Sequence, residues 1–188
     1  MPKLAVFNSI SMDGYFTGVN GDLRWAYGGT PDPEWDAFVV GNAQGGGRLV
    51  FGRITYDLMT RYWPTPLAMQ QNPVVAERMN NLPKIVFSRT MDKASWNNTR
   101  LIKTNMVDEV RRMKQKPGED MVILGSGSII SQLAEAGLVD EFQMAMLPLI
   151  LGNGKTMFEG MSTKLNLKLG HTRAFKNGNV VLSYTPRA

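Results

Sequence analysis

Apolar runs that end in glycine or hydroxyl residues, each followed by a helix-like pattern, recur along this chain. The clearest case is the stretch 120–132, which reads DMVILGSGSIISQ. The apolar run MVIL is typical of a buried strand, and it stops abruptly at GSG. Apolar residues then return at helical spacing from Ile129 onward. The pattern predicts a strand, a tight glycine turn and the first turn of a helix.

The rest of the chain shows the same alternation of strand and helix patterns. Further strands are predicted at 3–10, 48–52, 84–87, 99–103 and 141–148, with a hairpin of 165–175 and 180–185 around the turn KNGN. Helices are predicted at 32–42, 53–59, 73–81, 106–116 and from the glycine turn to 137, with a rigid WPTP loop at 63–66. We therefore predict one α/β domain over 1–188: a three-layer fold with a mostly parallel twisted sheet flanked by helices and a C-terminal antiparallel hairpin.

Composition narrows the class of protein. The chain has 188 residues, of which 43% are hydrophobic and 20% charged, as is usual for a soluble globular protein. No apolar run approaches the roughly 20 residues that span a bilayer, so no membrane partner is expected. The N-terminal residues show no signal-peptide pattern. The absence of cysteine excludes disulfides and thiolate metal sites, and it fits a cytoplasmic location.

The formal net charge of +5 suits an anionic ligand such as a phosphorylated nucleotide. The largest basic group follows two acids, Asp108 and Glu109, and consists of Arg111, Arg112, Lys114 and Lys116. Acids in the first turn and bases in the last are typical of a solvated helix that complements its dipole. Because no aromatic residues interleave with these charges, we expect no nucleic-acid partner.

Two further features exclude other chemistry. His171 is the only histidine, and no carboxylates lie near it at ligand spacing, so no metal site is expected. The chain also lacks the nucleophile-elbow pattern of hydrolases.

Three predicted strands end in groups that could bind phosphate. Ligands of open α/β sheets bind beyond the carboxyl ends of the strands. The groups at the three ends are Gly52, Arg53 and Thr55; Ser88 and Arg89; and Gly125, Ser126, Gly127, Ser128 and Ile129. Unpaired amides at a helix start attract phosphate, and arginine forms forked bonds to it. Two arginines and a serine suit an adenosine 2′-phosphate, which favours NADPH over NADH.

Other interpretations of these residues stay open. A glycine turn between strand and helix is often only a tight turn. Trp25, together with Tyr27, either lines a ligand pocket or covers the edge of the core. The first strand lacks the G-x-G-x-x-G sequence that opens a Rossmann unit, so that mode of cofactor binding is not expected.

The motifs resemble those of a known family. The segments GRITY at 52–56, IVFSR at 85–89 and VILGSG at 122–127 look like three cofactor-contacting segments of the dihydrofolate reductase superfamily. The segments SMDG at 11–14, DEF at 140–142 and LILGNG at 149–154 are more specific. They resemble the C-terminal reductase domain of the bifunctional riboflavin-biosynthesis deaminase-reductase and its stand-alone relatives.

The resemblance implies a dihydrofolate reductase-like fold, bound NADPH and a homodimer. It implies that Arg53 and Thr55 hold phosphates, that Ser88 and Arg89 lie beside the 2′-phosphate, and that Gly125 to Ile129 hold the pyrophosphate. Asp13 and Gly14 would border the nicotinamide and substrate pocket, with Trp25 as a further substrate contact. The implied reaction is hydride transfer to a small heterocycle, of the type catalysed by 5-amino-6-(5-phosphoribosylamino)uracil reductase or dihydrofolate reductase.

The chain departs from these families in ways that affect the catalytic residues. Dihydrofolate reductases carry an acid on the first helix that helps to protonate the substrate, and both Asp36 and Glu34 lie on the corresponding helix here. We take Asp36 as the catalytic candidate on this helix and Asp13, at the border of the implied pocket, as the second candidate. Acids in a first helical turn also serve the helix dipole. The second strand is followed by YDLMTRYW instead of an Asp-Asn-Pro-type segment, which leaves another substrate open. The alternative function is a non-catalytic NADP(H)-binding protein.

Overall fold

An eight-stranded sheet forms the centre of the protein in a computed structural model that describes residues 1–27, 29–45 and 47–187. Its strands are β1 (Leu4–Ser11), β3 (Arg48–Gly52), β4 (Lys84–Phe87), β5 (Thr99–Ile102), β6 (Met121–Leu124), β7 (Glu141–Leu147), β9 (Leu167–Ala174) and β10 (Val180–Pro186). The helices are α1 (Pro33–Gln44), α2 (Arg53–Tyr62), α3 (Pro66–Gln71), α4 (Pro73–Asn81), α5 (Met106–Lys114) and α6 (Gly127–Glu135). A separate two-stranded ribbon pairs β2 (Tyr15–Thr17) with β8 (Lys155–Thr156).

The strands lie in the order β5-β4-β3-β6-β1-β7-β10-β9. The pairings from β5 to β7 are parallel, and β10 is antiparallel to both β7 and β9. This arrangement confirms the predicted parallel sheet with a C-terminal antiparallel hairpin.

Helices cover both faces of the sheet because successive strand residues point to opposite sides. In β3, Val50 packs into the core cluster that contains Val110 of α5 and Leu133 of α6. Its neighbours Leu49 and Phe51 pack into the cluster on the other face, which is completed from α1, α2 and α4 by residues that include Val39, Val40, Tyr56, Val75 and Met79. The predicted three-layer architecture is confirmed. No helix in the described ranges is long and apolar enough to cross a membrane.

The adjacent strands β3 and β6 form the topological switch point of the sheet. The chain leaves β3 through α2, α3 and α4 and returns in β4, on one side of β3. It leaves β6 through α6 and enters β7, which lies in the opposite direction along the sheet. Two neighbouring parallel strands whose connections diverge leave a crevice at their carboxyl ends, and ligands of open α/β sheets bind there.

The structure contains a short helix and a two-stranded ribbon that differ from the sequence prediction. The segment predicted as a rigid loop at 63–66 contains the start of α3, because Thr65 is its N-cap and accepts a hydrogen bond from the Ala68 amide at 3.2 Å, with Pro66 in the first position. The ribbon of β2 and β8 was not predicted, since strands of three and two residues show no periodicity.

The basic end of α5 is paired with carboxylates, as the dipole-matched helix pattern predicts. Arg111 pairs with Asp108 at 3.2 Å, and Arg112 pairs with Glu109 one turn earlier. Both partners of the Arg111–Asp108 pair are about half exposed, so this pair contributes little to stability.

Lys84 of β4 is a buried cation, with only 1% of its surface exposed. Its ammonium group donates hydrogen bonds to the carbonyl oxygens of Asn80 at 2.9 Å, Leu82 at 2.7 Å and Asn97 at 3.0 Å. It also lies 4.5 Å from the centre of the Trp96 ring. Burial lowers the pKa of Lys84 to about 8. The side chain therefore joins the end of α4 to the segment that precedes β5.

We expect Lys84→Met to lower the free energy of unfolding at pH 7 by about 3 kcal/mol, because three buried carbonyl groups lose their donor while the apolar stem is kept. Urea denaturation followed by circular dichroism measures the change. The control is Lys164→Met, at an exposed position, with an expected change within about 0.5 kcal/mol. Equal unfolding midpoints for the two variants would contradict this role of Lys84.

Candidate active site at the strand ends

Hydrogen bonds join the carboxyl ends of β3 and β6. The Ser126 hydroxyl oxygen accepts a hydrogen bond from the Gly52 amide at 2.8 Å, and the Ser126 amide donates to Thr55 Oγ1 at 3.0 Å. Gly52 directly precedes α2, and Ser126 directly precedes α6. The N-termini of the two helices are therefore held side by side at the switch point, where their dipoles favour the same anion.

The turn between β6 and α6 has a left-handed backbone. Gly125 has φ +62° and Ser126 has φ +60°. A Cβ atom on Gly125 would lie 2.7 Å from Cγ2 of Thr55, so a side chain does not fit there. Asn8 of β1 holds the same peptide from the other side: its Oδ1 accepts from the Gly125 amide at 2.6 Å, and its Nδ2 donates to the Gly125 carbonyl at 3.4 Å.

In the predicted phosphate-binding stretch 125–129, some backbone amides are bonded to other groups of the protein and others are unpaired within the described part of the chain. The amides of Gly125 and Ser126 bond to Asn8 and Thr55, and the Ile129 amide bonds to the Ser126 carbonyl at 2.9 Å. The Ile129 side chain is buried in the core. Within residues 1–27, 29–45 and 47–187, the Gly127 and Ser128 amides have no hydrogen-bond partner. These two amides, with the exposed Ser128 hydroxyl, form the position that suits a phosphate.

The polar groups on the neighbouring strand ends have distinct roles. Thr55 and Ser126 are buried and serve the scaffold through the bonds described above. Arg53, the first residue of α2, is paired with Asp57 at 3.2 Å. Beyond β4, the Ser88 hydroxyl oxygen accepts from the Met91 amide at 3.0 Å. Ser88 therefore fixes the turn that carries the next residue.

Arg89 is the cation at these strand ends that remains available for a ligand. It is exposed, and no hydrogen bond or ion pair holds its guanidinium among the residues that the structure describes. By contrast, the ion pair with Asp57 already offsets part of the positive charge of Arg53. A 2′-phosphate beyond β4 would gain most from Arg89.

The motif SMDG places a carboxylate beside this site, at the end of β1. Asp13 accepts hydrogen bonds from the Ser11 hydroxyl at 2.6 Å and from the Leu151 and Gly152 amides at 3.1 and 2.7 Å. These bonds, led by that of the Ser11 hydroxyl, lower the pKa of Asp13 below its usual value. Gly14 forms the turn that follows, at φ +86°. An ionised carboxylate whose oxygens are occupied is a poor proton donor, and the catalytic role of Asp13 stays a prediction.

The other predicted substrate-side residues lie farther along the chain. Trp25 is half-buried beside the cluster of Leu147, Phe175 and Val181, and its indole nitrogen donates to the Asp22 carbonyl at 3.1 Å. These contacts favour the interpretation in which Trp25 covers the edge of the core. Its contact with substrate stays a prediction.

Asp36 is exposed in the first turn of α1. The start of that helix is anchored by Asp32, which accepts from the Glu34 amide at 3.0 Å and from the Asn177 amide at 3.1 Å. Because Asn177 belongs to the β9–β10 turn, the helix is fixed while Asp36 itself stays accessible to a ligand. Its catalytic role is a prediction that the geometry leaves possible.

Asn8 was missed in the sequence, although it fixes the glycine turn. The signal was an asparagine within the largely apolar strand pattern KLAVFNSI. Phe16 of the ribbon was missed too, and its ring lies 3.0 Å from the position that a Cβ of Gly127 would take. Neither role can be assigned from local sequence, since both contacts join segments more than 100 residues apart.

Among the described residues, neither a metal cluster nor the surface cavity adds to the chemistry of the strand ends. No cluster of three or more histidine, aspartate or glutamate side chains that could hold a metal lies in the described part of the chain. A surface cavity of about 380 Å³ lies away from the strand-end crevice and is lined by Thr60, Pro64, Met69, Asn80, Ser95, Trp96 and Asn97.

Similarity to known proteins agrees with this architecture. The chain belongs to the RibD C-terminal domain family, which it matches over residues 2–181. It is 31% identical to the uncharacterized protein YyaP of Bacillus subtilis, over 94% of this chain and 90% of that protein.

Solved structures share the fold. A protein from Shewanella sp. PV-4 whose name assigns it to riboflavin biosynthesis superposes with a TM-score of 0.79 at 22% identity, with 99% of each chain covered. Dihydrofolate reductase from Enterococcus faecalis, complexed with NADP(H), superposes with a TM-score of 0.61 at 19% identity, with 99% of this chain and 97% of that chain covered. The dihydrofolate reductase-like fold implied by the sequence resemblance is confirmed.

The tight packing of Gly125 in the glycine turn is tested by comparing its substitution with that of Gly137, a left-handed glycine outside the turn. We expect Gly137→Ala to lower the free energy of unfolding by about 1 kcal/mol, because Gly137 has φ +66° but open space around it. Gly125→Ala carries the same backbone cost and also the overlap with Thr55, so a further loss of about 1–3 kcal/mol is expected. Urea denaturation of both variants measures the difference. A Gly125→Ala variant as stable as Gly137→Ala would show that the turn is not tightly packed.

Proposed function

We propose that this protein is an NADPH-dependent reductase that transfers a hydride to a small heterocyclic substrate. The observation that carries the proposal is the joining of the α2 and α6 N-termini at the switch point, where the Gly127 and Ser128 amides have no hydrogen-bond partner among the described residues. Membership of the RibD C-terminal domain family supports the proposal. The NADP(H) complex of the structurally similar dihydrofolate reductase supports this choice of cofactor.

The residues present fit a phosphorylated dinucleotide. The pyrophosphate would be held by the open amides of Gly127 and Ser128 and the two helix dipoles. The 2′-phosphate would be held by Arg89, with the Ser88 hydroxyl beside it. When bound, the reduced nicotinamide supplies the hydride. The residues of this chain would bind the cofactor, orient it toward the substrate and exclude water.

The substrate side would contribute the proton source. Asp36 is the proton donor we favour, because it is accessible on an anchored helix, whereas the Asp13 carboxylate is occupied by hydrogen bonds. We propose a conjugated heterocycle of the pyrimidine or pterin type as the acceptor. We also propose a homodimer, which the same resemblance supports, and a cytoplasmic location, which the absence of cysteine fits.

A non-catalytic NADP(H)-binding protein is the second candidate. It is favoured by the engagement of Asp13 and Trp25 in structural contacts, because side chains held in this way are less available to a substrate. The two candidates differ in turnover and not in cofactor binding.

Cofactor binding is tested by titrating the protein with NADPH and with NADH while following reduced-nicotinamide fluorescence. We expect NADPH to bind more tightly. We expect Arg89→Ala to weaken NADPH about 10- to 100-fold, because a charged hydrogen bond to the 2′-phosphate is lost, and to leave NADH unchanged. The matched control, Arg187→Ala, removes an exposed arginine beyond β10 and should change neither affinity. Failure of both nucleotides to bind the wild-type protein would overturn the proposed function.

Turnover is tested by the loss of NADPH absorbance with dihydrofolate and with 5-amino-6-(5-phosphoribosylamino)uracil as acceptors. For an acceptor that is reduced, we expect Asp36→Asn to lower kcat about 100-fold at unchanged NADPH affinity, because the proton source is lost. Glu77→Gln, an exposed carboxylate on α4, should keep full activity. Tight NADPH binding without turnover of either acceptor would favour the non-catalytic candidate, and full activity of Asp36→Asn would exclude Asp36 as the donor.

A further inference from the structure

Two of the motifs that carry the family resemblance bind each other. The motif SMDG at 11–14 provides the Asp13 carboxylate, and LILGNG at 149–154 provides the Leu151 and Gly152 amides. One oxygen of Asp13 accepts from Leu151 at 3.1 Å, and the other accepts from Gly152 at 2.7 Å. Beside this pair, the Met12 amide donates to the Leu149 carbonyl at 2.9 Å. We call these three long-range hydrogen bonds the staple.

The staple joins the two segments that lead into the β2–β8 ribbon. Asp13 lies just before β2, and Gly152 lies shortly before β8, so the bonds hold together the connections that carry the two antiparallel strands. Ser11 orients the carboxylate, since its hydroxyl donates to Asp13 Oδ1 at 2.6 Å while its oxygen accepts from the Tyr15 amide at 3.0 Å. Ser11 is fully buried, which fixes the staple to the end of β1.

The ribbon in turn packs against the glycine turn. The Phe16 ring and the Met157 carbonyl lie 3.0 and 3.1 Å from the position that a Cβ of Gly127 would take. The Met157 sulfur also accepts from Nδ2 of Asn8 at 3.5 Å. Asn8 is the side chain that holds the Gly125 peptide. Contacts therefore run from the staple, through Phe16 and Met157, to both ends of the turn.

We propose that Asp13 is a positioning residue, which holds the β2–β8 ribbon on the glycine turn and thereby keeps the Gly127 and Ser128 amides in their phosphate-binding arrangement. As a statement about cofactor affinity, the proposal rests on the proposed function. Its structural part concerns the turn itself. Asp13 touches neither Gly125 nor Gly127, so an effect on the turn reports positioning through the ribbon and not a local contact.

Hydrogen exchange of the protein without nucleotide tests the structural part. In the wild-type protein the amides of Gly125 and Ser126 are protected by Asn8 and Thr55. We expect Asp13→Ala to speed their exchange at least tenfold, together with that of 14–17 and 151–157, while the helices keep their protection. The NADPH dissociation constant should rise about tenfold at the same time. Asp13→Asn keeps the Ser11 contact but cannot accept from both amides, so a smaller change in the same amides is expected.

Asp120→Ala is the matched control. Asp120 is also an exposed aspartate that accepts a distant backbone amide, that of Lys3 at 2.7 Å, but it lies before β6, at the opposite edge of the sheet. We expect it to leave the exchange of Gly125 and Ser126 unchanged. Unchanged exchange of these two amides in both Asp13 variants would overturn the proposal, even if 151–157 opens. If the wild-type protein binds no NADPH, the proposed function fails, while the exchange of the turn still decides whether Asp13 positions it.

Discussion

The structure of the site depends on side chains that bind the backbone amides of the turn between β6 and α6. The left-handed residues Gly125 and Ser126 form this turn, and their amides donate to side chains instead of to backbone carbonyl groups. A buried amide without a partner is costly. Asn8 and Thr55 supply the partners, at 2.6 and 3.0 Å, and these bonds tie the ends of β1, β3 and β6 into one unit. Without them the turn would have no reason to keep its shape in the absence of a ligand.

In this arrangement, the side chains that stabilise the site differ from the groups that we propose for ligand binding. Thr55 and Ser126 look like ligand contacts in sequence, since hydroxyls beside glycines at strand ends suit phosphate. In the fold their hydroxyl oxygens accept hydrogen bonds from amides of the chain, so these two side chains stabilise the turn. The Gly127 and Ser128 amides, unpaired among the described residues, are left as the backbone donors that we propose for phosphate. A site of backbone amides is rigid before the ligand arrives and loses little entropy on binding. Its specificity must then come from a side chain at the rim, and Arg89 has the exposure and the free charge for that task.

The sequence predicts the framework well because the framework is local. The apolar run of β6 and the helical spacing from Ile129 each occupy a few consecutive residues, so periodicity is enough to place them. The order of the strands depends on contacts between distant segments, and no local pattern records that β6 lies between β3 and β1. The roles of Asn8 and Phe16 are missed for the same reason. Asp13 illustrates the intermediate case: the motif marks the residue as important, but only the contact with Leu151 and Gly152 shows what its carboxylate binds.

The proposed cofactor side and the proposed substrate side differ in how they are built. The proposed cofactor side consists of the sheet, its helix starts and the bonds among them, so its geometry persists as long as the fold does. The proposed substrate side consists of the connection after β1 and the first turn of α1. In the connection, Trp25 packs on the core, and in the helix turn, Asp36 is exposed. A change of one residue in that connection could alter the acceptor, or abolish the chemistry, without disturbing the glycine turn. The fold therefore supports NADPH more strongly than it supports any particular acceptor. The accessibility of Asp36 on a helix anchored through Asp32 is the feature that favours an active reductase over a protein that only binds the nucleotide.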